Sequence, residues 1–372
     1  MVKKSDQISP FLVAYLIHSV QVGVGILGFQ RIIIQSAGND SWIAVIIGGL
    51  FFSLAIWLMY KLLNQEKKDL VGIHQSLFGK WIGGFLTMIW VLYWLVISIS
   101  IFRAYIEVVQ AWMFPLINVK TFSVILAILV YYTISGGFKT VVGICFLGVV
   151  IPLYLVFTFI FPLEYAQFRN ILPIWNHSVK DIAVGSKDMT YSYLGISTLL
   201  MYYPYIKHAD QSQKWAQIGN LATMVLYLFV MIMSIIFFSE AQVSKYIWAT
   251  LTAWKIVEMP FVERFEYIGI TSWALIILPN ICLTLWCASK ATSLTLNIKP
   301  KHISRAMLLI MVLAAVFLNG RDMINTFIDT SSKVGYYLLF VYLPILVCIS
   351  TVMLKIRSKK TNDKAKKSAD SS

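Results

Sequence analysis

The stretch "QVGVGILGFQR", Gln21–Arg31, lies inside the first long apolar run of the chain and places three glycines within six positions. Each glycine in a helix interior costs about 1 kcal/mol of helix propensity relative to alanine. Two interpretations are open for such a segment in a membrane: the glycines allow close helix packing, or they interrupt the helix. An interruption is tolerated only where the freed backbone lines a cavity enclosed by protein, as in transporters that bind their ligand near the membrane centre.

Composition indicates an integral membrane protein. Of the 372 residues, 59% are hydrophobic and only 13% are charged, whereas about a quarter are charged in a typical soluble protein. The apolar runs are continuous rather than alternating, which favours helices over a β-barrel. The net charge of +14 is partly concentrated in the C-terminal stretch "KIRSKKTNDKAKKSADSS", which we expect to lie against anionic lipid headgroups. Nothing in the sequence indicates a folded basic face for nucleic acid, so no nucleic-acid partner is expected.

Windows of about 20 apolar residues predict ten transmembrane helices. They are Ser9–Ile34, Trp42–Leu63, Trp81–Met113, Val119–Ser135, Val141–Phe161, Met189–Ile206, Trp215–Phe238, Tyr267–Ser289, Ile303–Leu318 and Val334–Leu354. An even number of spans places both termini on one side, and the distribution of Lys and Arg predicts that this side is cytoplasmic. Residues 1–355 therefore form one transmembrane domain, and 356–372 form a basic cytoplasmic tail that we expect to be disordered.

A second weak helix is predicted five spans after the first. The sixth span, "MTYSYLGISTLLMYYPYIKH" (189–208), contains Gly195 followed by Ser197 and Thr198. Flexible backbone and hydroxyl groups would then lie near the middle of the membrane. Two interruptions at corresponding positions of two five-span halves point to a binding site.

Several stretches resemble one family. "GVGILGFQR" (23–31), "AGNDSWIAVIIGG" (37–49), "FRAYIEVV" (102–109), "PFVERFEYIGITSW" (260–273) and "SSKVGYYLLFVYLPI" (331–345) are similar to the spore-germination permeases, the B subunits of nutrient germinant receptors. That family belongs to the amino acid–polyamine–organocation superfamily. The resemblance implies an all-α LeuT-like fold of two inverted five-span repeats, roughly 9–162 and 189–355, with the first and sixth helices broken. One departure is Gln30, where the family often has proline.

The resemblance also implies a function. Such a subunit senses a small nutrient, often an amino acid, in the spore inner membrane and triggers germination together with a receptor A subunit and a lipoprotein C subunit. The alternative is a proton- or sodium-coupled amino-acid permease, which would use the same site. We expect no enzymatic activity, cofactor or metal, because the five histidines are scattered and the chain shows neither metal-ligand spacing nor a phosphate-binding loop.

The candidate ligand-binding residues belong to the two weak helices and the spans that should face them. Freed backbone groups and hydroxyls suit a zwitterionic amino acid, and Ile101 extends an apolar stripe on the third span. The predicted residues are Gly23, Gly25, Gly28, Trp94, Ile97, Leu194, Gly195, Ser197 and Thr284. Three alternatives remain open: the glycines only pack, the stripe belongs to the core, and Thr284 bonds to its own helix.

Five charged residues are predicted to have structural or coupling roles. Arg103 and Glu107 lie four residues apart in the third span, so we expect them to pair on one helix face. Glu263, Arg264 and Glu266 match the family motif before the eighth span, where a structural interface is favoured over ligand contact.

Overall fold

The computed structural model describes residues 3–257 and 263–369, with side chains described up to residue 357. Apart from one isolated parallel bridge between Ile8 and Ile206, these residues form helices joined by turns and loops. The α-helices are α1 Leu12–Gln21, α2 Phe29–Ala37, α3 Ser41–Glu66, α4 Leu70–Trp112, α5 Val119–Ser135, α6 Phe138–Val150, α7 Tyr154–Phe157, α8 Ile160–Leu163, α9 Val179–Asp188, α10 Thr190–Tyr193, α11 Leu199–Tyr202, α12 Gln213–Phe237, α13 Glu240–Val243, α14 Ala249–Trp254, α15 Phe265–Leu296, α16 Pro300–Phe317, α17 Arg321–Tyr337 and α18 Leu343–Ala369.

Seven helical segments of the described chain are long and apolar enough to cross a membrane. They are Phe29–Glu66, Leu70–Trp112, Phe138–Leu163, Ala209–Phe237, Phe265–Leu296, Pro300–Phe317 and Arg321–Arg357. Two shorter apolar helices, α1 and α5, coincide with parts of the predicted first and fourth spans. The predicted sixth span is divided into short helical pieces, so the count of ten stays a prediction.

Helical structure extends beyond the predicted bounds at two places. α4 begins at Leu70 rather than at Trp81, and non-helical backbone at Gly79 separates its two parts. Before the predicted last span, α17 begins at Arg321 and continues through a π-helical turn into α18. A hydropathy window does not recognise α17 because charged and hydroxyl side chains are frequent in it.

The backbone of α18 is helical to Ala369, which differs from the disordered tail expected for 356–372. Lysine is abundant in this stretch, and it is a good helix former. The helix α18 can therefore continue beyond its apolar part into this polar stretch.

The centre of the molecule is the pair α4 and α15, which pack against each other more extensively than the other helices do. α1 packs between α12 and α6, and the 3-10 turn Leu194–Thr198 lies against α1 and α15. Large aromatic side chains such as Trp90 and Trp94 are fully buried in this core. The two interrupted segments therefore lie inside the helix bundle, where neighbouring helices can satisfy their backbone groups.

A buried aspartate fixes the long loop before α9. Asp40 lies between α2 and α3 with no exposed surface, and its carboxylate accepts backbone N–H bonds from Trp175, Asn176 and His177 (2.6, 2.7 and 2.9 Å). The His177 ring also lies 3.3 Å from the carboxylate. Bonds to a charged acceptor are stronger than those between neutral groups, so Asp40 anchors this loop to the helix bundle.

We expect Asp40→Asn to lower the free energy of unfolding by about 2 kcal/mol, because an amide offers one acceptor oxygen to three N–H groups. Thermal unfolding of the purified protein in detergent measures the change. Asp181→Asn is the matched control, because the exposed Asp181 carboxylate bonds only to Ser178 in a local capping box, and its loss should cost less than about 1 kcal/mol. Equal melting temperatures for the two variants would contradict the anchoring role.

Candidate functional site

The first membrane segment is interrupted at the glycines. α1 ends at Gln21, Gly23 has extended backbone, a 3-10 turn covers Val24–Leu27, and α2 begins at Phe29. An α-helix leaves its last carbonyl groups without partners of its own. The interruption therefore exposes several carbonyl oxygens in the middle of the bundle.

Side chains from three other helices donate hydrogen bonds to these carbonyl oxygens. Each bond joins the interruption to α12, α14 or α15. The bonds are Asn280 Nδ2 to Ser19 O and Val22 O (2.7 and 2.9 Å), Tyr227 Oη to Gln21 O (3.0 Å), Trp273 Nε1 to Gly23 O (3.2 Å) and Thr250 Oγ1 to Ile26 O (2.9 Å). Gln30, at the start of α2, adds a bond from its Nε2 to Thr250 Oγ1 (2.7 Å).

The second interruption faces the first. α10 is followed by the 3-10 turn Leu194–Thr198 and then by α11. A Cβ atom on Gly195 would clash with the side chain of Val20 and lie 2.6 Å from its carbonyl oxygen. Close packing therefore requires glycine at this position, whereas a Cβ on Gly23 would meet only the Asn280 side chain at 3.9 Å.

A narrow cavity lies between the two interruptions, and we call it the closed cavity because it is too small to admit an amino acid. Of the predicted ligand-binding residues, Gly23, Gly25, Ile97, Leu194 and Gly195 line it, as does Ile101 of the predicted apolar stripe. Its volume is about 20 Å³, which is enough for one water molecule. An amino acid would fit only after the walls separate.

Polar side chains that the sequence did not single out also line the cavity: Gln21, Tyr191, Tyr227 and Asn280. Gln21 belongs to the quoted glycine stretch, and Asn280 follows a proline inside an apolar helix. A polar amide in the middle of a membrane segment is itself a signal of function or of a buried hydrogen bond, and in retrospect it could have identified both residues.

The Gln21 side chain presents a buried acceptor without a partner. Asn220 Nδ2 donates to Gly49 O and Ser53 Oγ (3.0 and 2.8 Å), so Asn220 Oδ1 faces Gln21 Nε2 at 2.7 Å. This network fixes the amide of Gln21 and leaves its Oε1 with no hydrogen bond, although the residue is only 1% exposed. The hydroxyl of Tyr191 is likewise unpaired. Such atoms require a partner from a ligand or water.

Three of the predicted residues lie beside the cavity and do not line it. Trp94 Nε1 donates to Ser197 Oγ (2.9 Å), so these two side chains bind each other. The hydroxyl of Thr284 bonds to the carbonyl of Asn280 in its own helix (2.7 Å) and to Ser98 Oγ (2.8 Å). Their contact with a ligand stays a prediction.

A wider cavity, which we call the vestibule, opens beside α2. Its walls include Gly28, Arg31, Glu107, Asp188, Trp248 and Arg321, and its volume is about 360 Å³. Burial raises the pKa of Asp188, an effect that the neighbouring Lys187 only partly offsets. The walls of the vestibule carry both basic and acidic side chains, and the vestibule adjoins the closed cavity.

The expected pairing of Arg103 with Glu107 is wrong. Glu107 instead forms an ion pair with Arg321 at 2.8 Å, and the Arg103 Nε donates to Leu318 O at 2.8 Å. Arg103 lies beside the end of α16, whose last carbonyl groups need donors, and the following turn brings Arg321 over Glu107. Both arginines thus hold the α16–α17 connection against α4.

The charged residues around the start of α15 lie outside both cavities. Arg264 forms an ion pair with the buried Glu266 (2.9 Å) and lies over the ring of Tyr267. Glu263 is exposed, and the adjoining residues 258–262 lie outside the described chain. Within the part of the chain that the structure describes, no group of three or more His, Cys, Asp or Glu side chains is placed to hold a metal ion.

Residues 7–324 match the family model described as "Spore germination protein". The chain belongs to the spore germination protein family. This confirms the family resemblance. The chain is 43% identical to spore germination protein GerQB of Bacillus cereus, with 94% of this chain and 98% of that protein covered. It is 23% identical to spore germination protein A2 of Bacillus subtilis (strain 168), with 92% and 94% covered.

Solved structures of LeuT-fold transporters are similar to this spore germination protein. A substrate-bound, outward-open Na⁺-coupled sialic acid symporter superimposes with a TM-score of 0.60 at 12% identity, covering 94% of this chain and 77% of that chain. MhsT in complex with L-phenylalanine superimposes with a TM-score of 0.56 at 14% identity, covering 92% and 87%. The expected all-helical, transporter-like membrane fold is therefore confirmed.

The different environments of Gly195 and Gly23 generate a paired prediction. Gly195→Ala should lower the free energy of unfolding by about 1–3 kcal/mol, because the backbone of α1 must move to admit the methyl group. Gly23→Ala should leave stability close to that of the wild type, since its methyl group has room. Melting temperatures of both variants in detergent provide the measurement. A tolerated Gly195→Ala would show that the two interruptions are not in tight contact.

Proposed function

We propose that this protein is the germinant-sensing membrane subunit of a spore nutrient receptor and that it binds a small nutrient in the closed cavity. The observation that carries the proposal is the unpaired Oε1 of Gln21, held by a fixed amide network at a cavity between two interrupted helices. A primary ammonium group is a donor suited to this oxygen.

The remaining wall is suited to the rest of an amino acid. The first N–H groups of the turn Val24–Leu27 have no acceptor within that turn and can receive a carboxylate. Ile97, Ile101 and Leu194 form an apolar surface beside them. These features favour a small amino acid with an apolar side chain.

Binding must be coupled to a conformational change. Because the cavity admits about one water molecule, the helices around it have to separate before a nutrient fits. A ligand that binds only the opened form shifts the protein toward that form. In the proposed mechanism this shift passes to a receptor A subunit and a lipoprotein C subunit in the spore inner membrane, and it involves no catalysis.

The proposed architecture is ten spans in two inverted five-span repeats, broken in the first and sixth helices, with both termini cytoplasmic. The interruptions in 21–29 and 194–198 support this arrangement because they occur at corresponding places of the two halves. Within it, we propose that the five predicted residues lining the closed cavity contact the nutrient directly. Gly28, Trp94, Ser197 and Thr284 do not line it and would reach the nutrient only after the walls separate. The five charged residues keep their structural or coupling roles.

A coupled amino-acid permease is the second candidate. It is favoured by the similarity to a Na⁺-coupled symporter and to a protein bound to L-phenylalanine. The two functions differ in net transport. If the purified protein in liposomes accumulates a labelled amino acid against its gradient, the permease function is correct; binding without accumulation supports the sensor.

Gln21→Met removes the unpaired acceptor at nearly constant volume and generates the central prediction. The nutrient concentration for half-maximal germination should rise 10- to 100-fold, since a hydrogen bond to a charged group contributes about 1.5–3 kcal/mol. The loss of optical density of spores exposed to single amino acids gives the dose response. Thermal stabilisation of the purified protein by the same amino acids gives the binding constant.

Gln217→Met is the matched control. Gln217 lies on α12, is partly buried and donates to Ser53 O (2.9 Å), but it lies outside the cavity wall. Its substitution should leave the nutrient response unchanged. Equal shifts for the two variants, or no shift for Gln21→Met, would overturn the proposed site.

A further inference from the structure

Three carbonyl oxygens converge on the side-chain nitrogen of Asn280. Its Nδ2 lies 2.7 Å from Ser19 O, 2.9 Å from Val22 O and 3.0 Å from Ile276 O. Two of these carbonyls belong to the end of α1, and the third belongs to the preceding turn of α15. The side chain is only 1% exposed, so water does not compete for these bonds.

The contacts fix the orientation of the amide. Carbonyl oxygens accept hydrogen bonds and cannot donate them, so only the NH₂ group of Asn280 can face all three. A cluster of carbonyls at the C-terminal end of a half-helix carries partial negative charge. Where transporter folds bind a coupling cation, unwound backbone carbonyls and half-helix ends of this kind supply the ligands.

The described residues that line the cavity beside Asn280 include no charged group that would favour a metal ion over the amide. Among the residues lining the cavity beside Asn280, none is a carboxylate. The nearest polar contacts of the α1 end come from neutral groups, including the hydroxyl of Tyr227 on Gln21 O. A monovalent cation bound only by neutral carbonyls would have to displace an amide whose two N–H groups are already shared among the three carbonyls.

We propose that the Asn280 amide is a built-in substitute for a monovalent cation at the break of the first helix. The NH₂ group holds α1 to α15 in the way a bound cation would, and it does so permanently. The fold of the protein is therefore independent of sodium. This inference concerns whether the helix break depends on a bound cation, and it stands whether or not a nutrient binds in the cavity.

Melting temperatures in equal concentrations of NaCl, KCl and choline chloride test the proposal on the full-length protein in detergent. The wild type should melt at the same temperature in all three salts. Asn280→Asp replaces the donor by a carboxyl group that faces three carbonyls, and this arrangement requires either a cation or a proton on the carboxyl; the salts are therefore compared at alkaline pH, where binding of a proton is disfavoured. Asn280→Asp should melt below the wild type in choline chloride and regain stability in NaCl, with a saturable dependence on Na⁺.

Asn220→Asp is the matched control. Asn220 is also fully buried, but its Nδ2 faces one backbone carbonyl and one hydroxyl rather than three carbonyls. Its loss of stability should be the same in the three salts. Asn280→Ser provides a second variant, because its shorter side chain leaves the three carbonyls free to bind Na⁺.

Two outcomes would overturn the proposal: saturable, Na⁺-specific stabilisation of the wild type, or melting temperatures of both Asn280→Asp and Asn280→Ser that do not change between the three salts. Recovery of folded Asn280→Asp only from NaCl would support it. Because no nutrient is present in these measurements, their failure leaves the sensing proposal intact. Failure of the Gln21→Met prediction likewise leaves the role of Asn280 intact.

Discussion

The structure depends on how the open backbone of the first helix is satisfied away from water. An unpaired carbonyl in the hydrocarbon region costs several kcal/mol, so the interruption can exist only where other helices supply donors. Asn280, Tyr227 and Thr250 supply them from α15, α12 and α14. The glycines permit the break, but these side chains on distant parts of the sequence stabilise it.

This arrangement makes the break a mechanical junction. Because its donors lie on three different helices, the break cannot shift unless those helices follow or the bonds are lost. The tight contact of Gly195 with Val20 adds the second interruption to the same junction. A change in the small cavity between them is therefore transmitted to much of the bundle, as packed interiors have discrete arrangements rather than continuous ones.

The sequence predicted the break itself but not the contacts that stabilise it. Glycine spacing and the family resemblance identified the backbone around Gly25 and Gly195, because local propensity is encoded locally. The partner of Glu107 was not predicted, because the helical i, i+4 rule considers one helix, whereas Arg321 begins another helix more than 200 residues later. The roles of Gln21 and Asn280 were not predicted, because they depend on which carbonyl or amide groups these side chains contact across the bundle.

The position of the cavity also favours one direction of access. Val24, Gly25, Tyr191 and Ser192 line both the closed cavity and the vestibule, so this single layer separates them. Toward the start of α1, the rings of Phe138, Tyr205 and Trp286 pack against one another and close the bundle. Their centroids are 4.5–5.2 Å apart. Moving one tyrosine with an unpaired hydroxyl costs less than separating three aromatic side chains that pack in tilted and edge-to-face contacts. The route into the cavity that requires less unpacking therefore runs from the vestibule, past Tyr191.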